Sequence, residues 1–324
     1  MPAFPAHWQP HLPAADLGFY DLRQPEKREY QAHIARSHGV DGFVYYHYWF
    51  RGRRLLGRPF DDVLSSGQPD FPFCLCWANE NWTRRWDGGD HSTLIEQTYS
   101  DDDDRDHIRW LTGAFEDPRY VRVDGKPLVL IYRASHLPDA RRTTDLWRQE
   151  AGRLGVGELY LCRVEAFGLD RGDPVALGFD AGVEFQPDWP NPGPRLPLPG
   201  GSRPAAAAHD DADVLRIYSY PVAVELALRH PPTAYKRYRC VMPGWDNAPR
   251  RLRGATVFLG STPERYSMWL SAVIQQFRPF SPEENFVFIN AWNEWGEGNH
   301  LEPDSRWGTS YLQAHQRATG RVAR

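Results

Sequence analysis

Two glutamates three residues apart, Glu294 and Glu297, stand among tryptophans in the stretch FVFINAWNEWGEGNHLEPD (286–304), directly after an apolar run. Carboxylate pairs beside indole rings suit glycosidic bond cleavage: one acid protonates the leaving oxygen while the other supports the anomeric centre. An extended chain holds the two Cα atoms at most about 10 Å apart, and a turn brings them much closer. That range spans both inverting and retaining carboxyl separations, so spacing leaves the stereochemistry open. Gly296 between them suggests a tight bend. Glu302 reads partly as a helix-start acid, and His300 reads as loop structure.

Similar polar and aromatic residues recur where other apolar runs end. The candidates for substrate contact are Tyr46, His47 and Trp49; Trp77, Asn79, Glu80, Trp82 and Arg84; Tyr132; Glu165; Glu184; Trp245 and Asp246; and Asn293 and Trp295. Trp77, Trp82, Trp245 and Trp295 are the expected sugar platforms, because flat amphipathic rings match the apolar faces of sugars. Each has a plainer reading. His47 amid aromatics is equally a satisfied core histidine, and Arg84 and Arg85 are equally surface ion-pair partners. The run Asp101–Asp104 resembles a metal-binding DxD but opens a helix, and capping explains it better. No nucleophilic Ser or Cys sits in an elbow motif.

These residues need a scaffold that gathers strand ends. Seven strand-like runs, at 40–49, 71–79, 126–133, 158–165, 180–186, 238–244 and 285–292, alternate with helical patterns at 24–38, 58–67, 102–117, 138–154, 219–230, 263–279 and 306–318. The strands are almost continuously apolar, as parallel strands covered on both faces are. Such alternation predicts βαβ units, and barrels of this kind build active sites at the C-terminal strand ends. The expected fold is α/β, a (β/α)8 TIM-barrel-like unit whose first strand is missing or atypical. A doubly wound open sheet is the alternative, but no Gly-rich phosphate loop follows the first strand. One domain is expected over 1–324, with a long Pro/Gly/Ala-rich excursion around 190–218.

Composition narrows the class. Of 324 residues, 41% are hydrophobic and 25% charged, as in globular proteins, and a net charge of -4 recruits neither nucleic acid nor an anionic membrane. No apolar run approaches the roughly 20 residues of a membrane span. The four cysteines, Cys74, Cys76, Cys162 and Cys240, fall in strand-like runs and read as reduced core residues, so a cytoplasmic setting is expected.

The stretches YYHYWFRGRRLLGRPFDDVL (45–64), FPFCLCWANENWTRRWDG (71–88), VDGKPLVLIYR (123–133), PGWDN (243–247), GSTPERYSMWL (260–270) and INAWNEWGEGNHLEPD (289–304) closely resemble the WbsX-like family. That family is labelled a glycosyltransferase from its occurrence in polysaccharide gene clusters. It is similar in turn to glycoside hydrolase family 99, the endo-α-mannosidase and endomannanase group of (β/α)8 barrels. The resemblance implies that Glu294 assists the sugar's own 2-hydroxyl in attacking the anomeric carbon through a 1,2-anhydro intermediate. Glu297 is then acid and base at the leaving group, and neither metal nor organic cofactor is implied. Gly296 departs from the hydrolases, where a histidine is usual. Relatives begin with a strand bearing an AFYLPQFHP-like signature and a GFTEW stretch, and this chain starts after that point, in keeping with the missing first strand. The function expected is glycoside hydrolysis of a bacterial polysaccharide or glycan. Alternatives are a glycosyltransferase of surface (O-antigen-type lipopolysaccharide) synthesis or a non-catalytic carbohydrate-binding protein.

Overall fold

β-Branched, aromatic and cysteine residues fill seven short runs that form parallel strands: β1 Phe43–Phe50, β2 Phe73–Trp77, β3 Lys126–Ile131, β4 Tyr160–Glu165, β5 Ala181–Glu184, β6 Arg237–Val241 and β7 Val287–Ile289. The computed structural model describes residues 9–84, 89–197, 215–251 and 254–320. All seven strands stand where the sequence predicts them, and they pair in chain order from β1 to β7 in one sheet. The sheet is a curled, parallel half-barrel. Among the described residues, β1 and β7 end its parallel run without pairing with each other. A hairpin strand, Arg53–Leu55, lies along the upper part of β1.

The helices are α1 Pro25–Ser37, α2 Arg58–Ser66, α3 Asp101–Phe115, α4 Ala140–Arg153, α5 Tyr220–Leu228, α6 Pro263–Gln276 and α7 Ser310–Thr319. Their starts follow local chemistry. The Ser100 hydroxyl accepts the Asp103 N–H at the head of α3, Asp139 accepts Arg142 N–H at α4, and Thr262 accepts Arg265 N–H at α6. The Asp101–Asp104 run is therefore the acidic first turn of a capped helix. No helix of the described residues is long and apolar enough to cross a membrane.

Register fixes which side chains share a face. Tyr46, Cys76, Leu130, Cys162 and Ala181 lie side by side on the inner, concave face. The next residues along, His47, Trp77, Ile131, Arg163 and Gly182, face outward to the helices. The four cysteines are buried and free, and burial pushes the Cys74 and Cys240 thiols up to about 12. Part of the 190–218 excursion is ordered as a strand, Arg216–Ser219, which pairs with Thr256–Leu259 beside Trp245–Asp246. Residues 198–214 of that excursion, and Arg85, lie outside the described residues.

Candidate active site

The peptide after β7 turns back on itself. Asn293–Glu294 pairs antiparallel with Asn299–His300, and a single 3-10 turn, Trp295–Glu297, joins them. The hairpin closes at Gly298, whose φ is +56° and whose hydrogen faces Asp246 so closely that a Cβ there would lie 3.0 Å from the Asp246 carbonyl oxygen. Glycine is required at that position on both counts. Gly296 is different: a Cβ there would meet Glu294 Oε1 at 3.4 Å, ordinary contact distance, so the turn has room for a side chain beside the carboxylate.

Both glutamates face one cation. Arg250 Nη1 lies 3.3 Å from Glu294 Oε1 and 3.2 Å from Glu297 Oε1. Those two oxygens are thus no more than about 6.5 Å apart, the sum of the two distances, which admits retaining separations of about 5–5.5 Å and reaches only the lower edge of inverting ones. Arg250 arrives on the 3-10 turn Ala248–Arg250. That turn is built by the PGWDN motif: Asp246 Oδ1 accepts Ala248 N–H, Asn247 Oδ1 accepts Thr256 N–H, and the Asn247 carbonyl accepts Arg250 N–H. Loss of water around Glu294 raises its pKa, and Arg250 opposes the rise without cancelling it. A carboxyl so poised takes up and releases protons nearer neutrality.

An aromatic wall leads away from the pair. Trp82 meets Tyr48 at 5.4 Å, Tyr48 meets Tyr46 at 6.5 Å, Tyr46 meets Tyr132 at 6.1 Å, and Tyr132 meets Phe185 at 5.5 Å. Tyr46 is 44% exposed on the inner face of the sheet, so this wall borders an open cleft. Burial, and then the nearby Glu294 charge, pushes the Tyr48 hydroxyl up to about 12. Tyr132 is raised by burial and then by the charges of Glu80 and Glu297. Glu80 pairs with Arg133 at 2.6 Å, and Arg133 also holds Asp170 at 3.1 Å.

The hairpin is braced from behind. Buried Glu302 accepts from Tyr20 Oη (2.6 Å), Gln31 Nε2 (2.5 Å) and Trp295 Nε1 (2.8 Å), and Tyr20 Oη in turn accepts from Asn293 Nδ2 (3.1 Å). Glu302 therefore fixes the two residues flanking Glu294 and is not a helix-start acid.

The structure brings together Tyr46, Trp82, Tyr132, Glu294 and Glu297, with Glu80 held nearby by Arg133, and Asp246 supports the turn that presents Arg250. Asn293 and Trp295 turn instead to the brace: Asn293 donates to Tyr20, and the Trp295 ring donates to Glu302 and stacks on buried His300 at 3.8 Å, so it is packed structure rather than a free sugar platform. Other expected contacts fall elsewhere. His47, Trp49 and Trp77 point outward into the core: His47 Nε2 lies 2.9 Å from His107 Nε2, Trp49 Nε1 donates to Asp103, and Trp77 is 1% exposed against Trp147. Burial depresses His47 to about 3, so it stays neutral. Glu165 and Glu184 also face outward, where Tyr235 and Arg163 hold the first and Arg237 and Arg239 the second. Trp245 is buried edge-on to Trp189, leaving no face for a sugar. Asn79 is fully buried, tying the Arg133 backbone through both ends of its amide. Arg84 is exposed on the short Trp82–Arg84 strand. Sequence reasoning missed Arg250, Tyr20 and Gln31. The signal for Arg250 was its place just past PGWDN.

The chain matches the family described as Glycosyltransferase WbsX over residues 1–315. It is 41% identical over 323 residues to proteins named "Uncharacterized protein WxcX" from two strains of Xanthomonas campestris pv. campestris, a span of 99% of this chain and 45% of theirs. It thus spans about half the length of those relatives. Among solved structures it is similar to a "Glycoside hydrolase-like protein" (TM-score 0.60, 15% identity, 96% of this chain and 89% of that one). It is also similar to the GH99 endo-alpha-mannosidase from Bacteroides thetaiotaomicron (TM-score 0.61, 14% identity, 98% and 89%). At such identities the likeness is one of fold.

Proposed function

The chain belongs to the family described as Glycosyltransferase WbsX, and from that footing we propose that it is a glycoside hydrolase-like enzyme cleaving a glycosidic bond in a bacterial polysaccharide or glycan. The observation that carries this reading is the pair Glu294 and Glu297, held by one arginine nitrogen at the end of an aromatic-walled cleft. Fold likeness to a glycoside hydrolase-like protein supports it.

The proposed course is retaining. The Glu294 carboxylate takes the proton of the substrate's 2-hydroxyl as that oxygen bonds to the anomeric carbon. Glu297, protonated, gives its proton to the departing glycosidic oxygen as the old bond breaks. Water then opens the 1,2-anhydro ring at the anomeric carbon, losing a proton to Glu297, while Glu294 returns its proton to the 2-oxygen. Arg250 limits the repulsion between the two acids and keeps their oxygens no more than about 6.5 Å apart, which admits retaining separations. Trp82 and the Tyr46–Tyr132 wall supply apolar surface for sugar faces.

The test is mass spectrometry of a bacterial surface polysaccharide incubated with the wild-type chain, E294Q and E297Q, with and without nucleotide sugars. Shortened glycans from wild type alone support hydrolysis. Lengthened glycans that require a nucleotide sugar establish transfer instead. Retention of intact glycan by all three proteins without turnover establishes a binding protein.

A further inference from the structure

His300, Asp304 and His11 converge behind the hairpin. Their nearest ligating atoms all lie within 4.8 Å of one another. His300 and Asp304 are 4% and 3% exposed, the first on the returning strand of the hairpin and the second just after it, and His11 comes from the opposite end of the chain.

Each of the two buried side chains is already held by its far atom. His300 Nδ1 lies 3.0 Å from the Glu302 carbonyl, which can only accept, so Nδ1 carries the hydrogen and the Nε2 lone pair points inward. The Trp295 ring stacks on the same imidazole at 3.8 Å and fixes its plane. Asp304 Oδ1 accepts the backbone N–H groups of Arg306 and Trp307, leaving Oδ2 turned toward His300 Nε2 at 3.8 Å. A backbone carbonyl that fixes the tautomer of a histidine is the outer-shell arrangement of metal-ligating imidazoles. The His11 Nδ1 to His300 Nε2 distance is 2.9 Å. Bonds of about 2.0–2.1 Å at tetrahedral angles set neighbouring ligand atoms about 3.3 Å apart, so both separations are within about half an ångström of ligation.

We propose that His11 Nδ1, His300 Nε2 and Asp304 Oδ2 bind one zinc-type divalent cation, with a fourth position left to water. Without metal, His11 donates its Nδ1 hydrogen to His300 Nε2. On loading, His11 shifts to the Nε2–H tautomer and both facing nitrogens turn their lone pairs to the ion, while Asp304 binds as the carboxylate and no proton is lost. Ligand softness and two imidazoles favour zinc over calcium or magnesium. The site is a clip. It pins the leading segment, already bridged through Pro13 to Asp304 and from Ala14 N–H to the Pro303 carbonyl, onto the returning arm of the acid-bearing hairpin and the residues just after it. It is independent of the reaction proposed above, because its ligands are not the reacting acids.

The test uses the full chain, stripped with a chelator, reloaded with Zn²⁺ alone and desalted, with bound metal measured by elemental analysis. The expected result is about one zinc per chain, and Co²⁺ loading that gives the intense visible bands of a four-coordinate site. D304N retains the oxygen that accepts the two backbone N–H groups and is expected to fold, yet to bind zinc at least about 10–100-fold more weakly, the loss that mutating even an outer-shell partner causes. H11A, altering a partly exposed residue, is expected to do the same, while H33A at an exposed helix position binds as wild type does. Substoichiometric zinc on wild type at saturating metal overturns the proposal. So does zinc content in folded D304N and H11A equal to that of wild type.

Discussion

Replacing Arg250 with methionine removes a cation shared by Glu294 and Glu297 while keeping most of the apolar stem. The guanidinium nitrogen lies 3.3 Å from Glu294, with Arg250 47% and Glu294 38% exposed, so solvent screens the pair substantially. At the dielectric of water, unit charges at that distance interact by about 1.3 kcal/mol, or about one pKa unit. Removing the cation disfavours the carboxylate, so the Glu294 pKa, already above its ordinary value, rises further. R250M is therefore expected to move the Glu294 midpoint up by about one unit. It should also spread the two macroscopic steps of the pair, because the shared guanidinium no longer offsets the repulsion between the acids. Carbon-13 NMR titration of the side-chain carboxyls, assigned with E294Q and E297Q, reads this without any substrate. A group whose folded pKa is raised contributes stability that is present at low pH and lost as pH rises through that pKa. The variant should accordingly lose stability relative to wild type on the alkaline side of the titration. A midpoint that stays in place, or falls, refutes the claim that Arg250 governs the pair.

Three other outcomes are expected. His230 is raised to about 9 by its 3.0 Å contact with Asp188 and by the Glu184 carboxylate 3.7 Å away. Stability it contributes is complete below its ordinary pKa and lost as pH climbs through about 9, on the order of 2 kcal/mol, and H230Q should flatten that stretch of a denaturant-measured pH profile. E302A leaves Tyr20, Gln31 and Trp295 without their buried acceptor and should cost roughly 3 kcal/mol or more by chemical denaturation. A loss below about 1 kcal/mol would show that water replaces the carboxylate. G298A should destabilise by about 1–2 kcal/mol through its left-handed backbone and tight approach to Asp246, whereas G296A should melt within a degree or so of wild type.

The scaffold was legible because strand and helix periodicities differ and alternate cleanly. All seven strands and all seven helices lie where the patterns set them. The half of the candidate site on the Asn293–Glu297 turn was legible too, since a carboxylate pair directly after a strand has few structural uses. What failed was phase. A strand buried on both faces reads as one apolar run, and nothing in FVYYHYWF tells which alternate residues look inward. Tyr46 faces the cleft and His47 the core for that reason alone. Glu165 and Glu184 look like cleft acids at strand ends, but the pleat turns them toward arginines on the helix side. Arg250 was hidden by distance along the chain, 44 residues from Glu294.

Among the described residues, the strand that delivers the acids, β7, has a hydrogen-bonded neighbour on one side only, with three register pairs to β6, whereas β3 is paired on both flanks. Opening β7 therefore sacrifices one ladder and leaves the rest of the sheet intact. Its amides should exchange with solvent by local opening while those of β3 await global unfolding, and warming should dismantle the acid pair in a chain that is otherwise still folded. Loss of the acid pair's geometry would then precede melting, so a melting curve would overstate the temperature range over which the candidate site is intact.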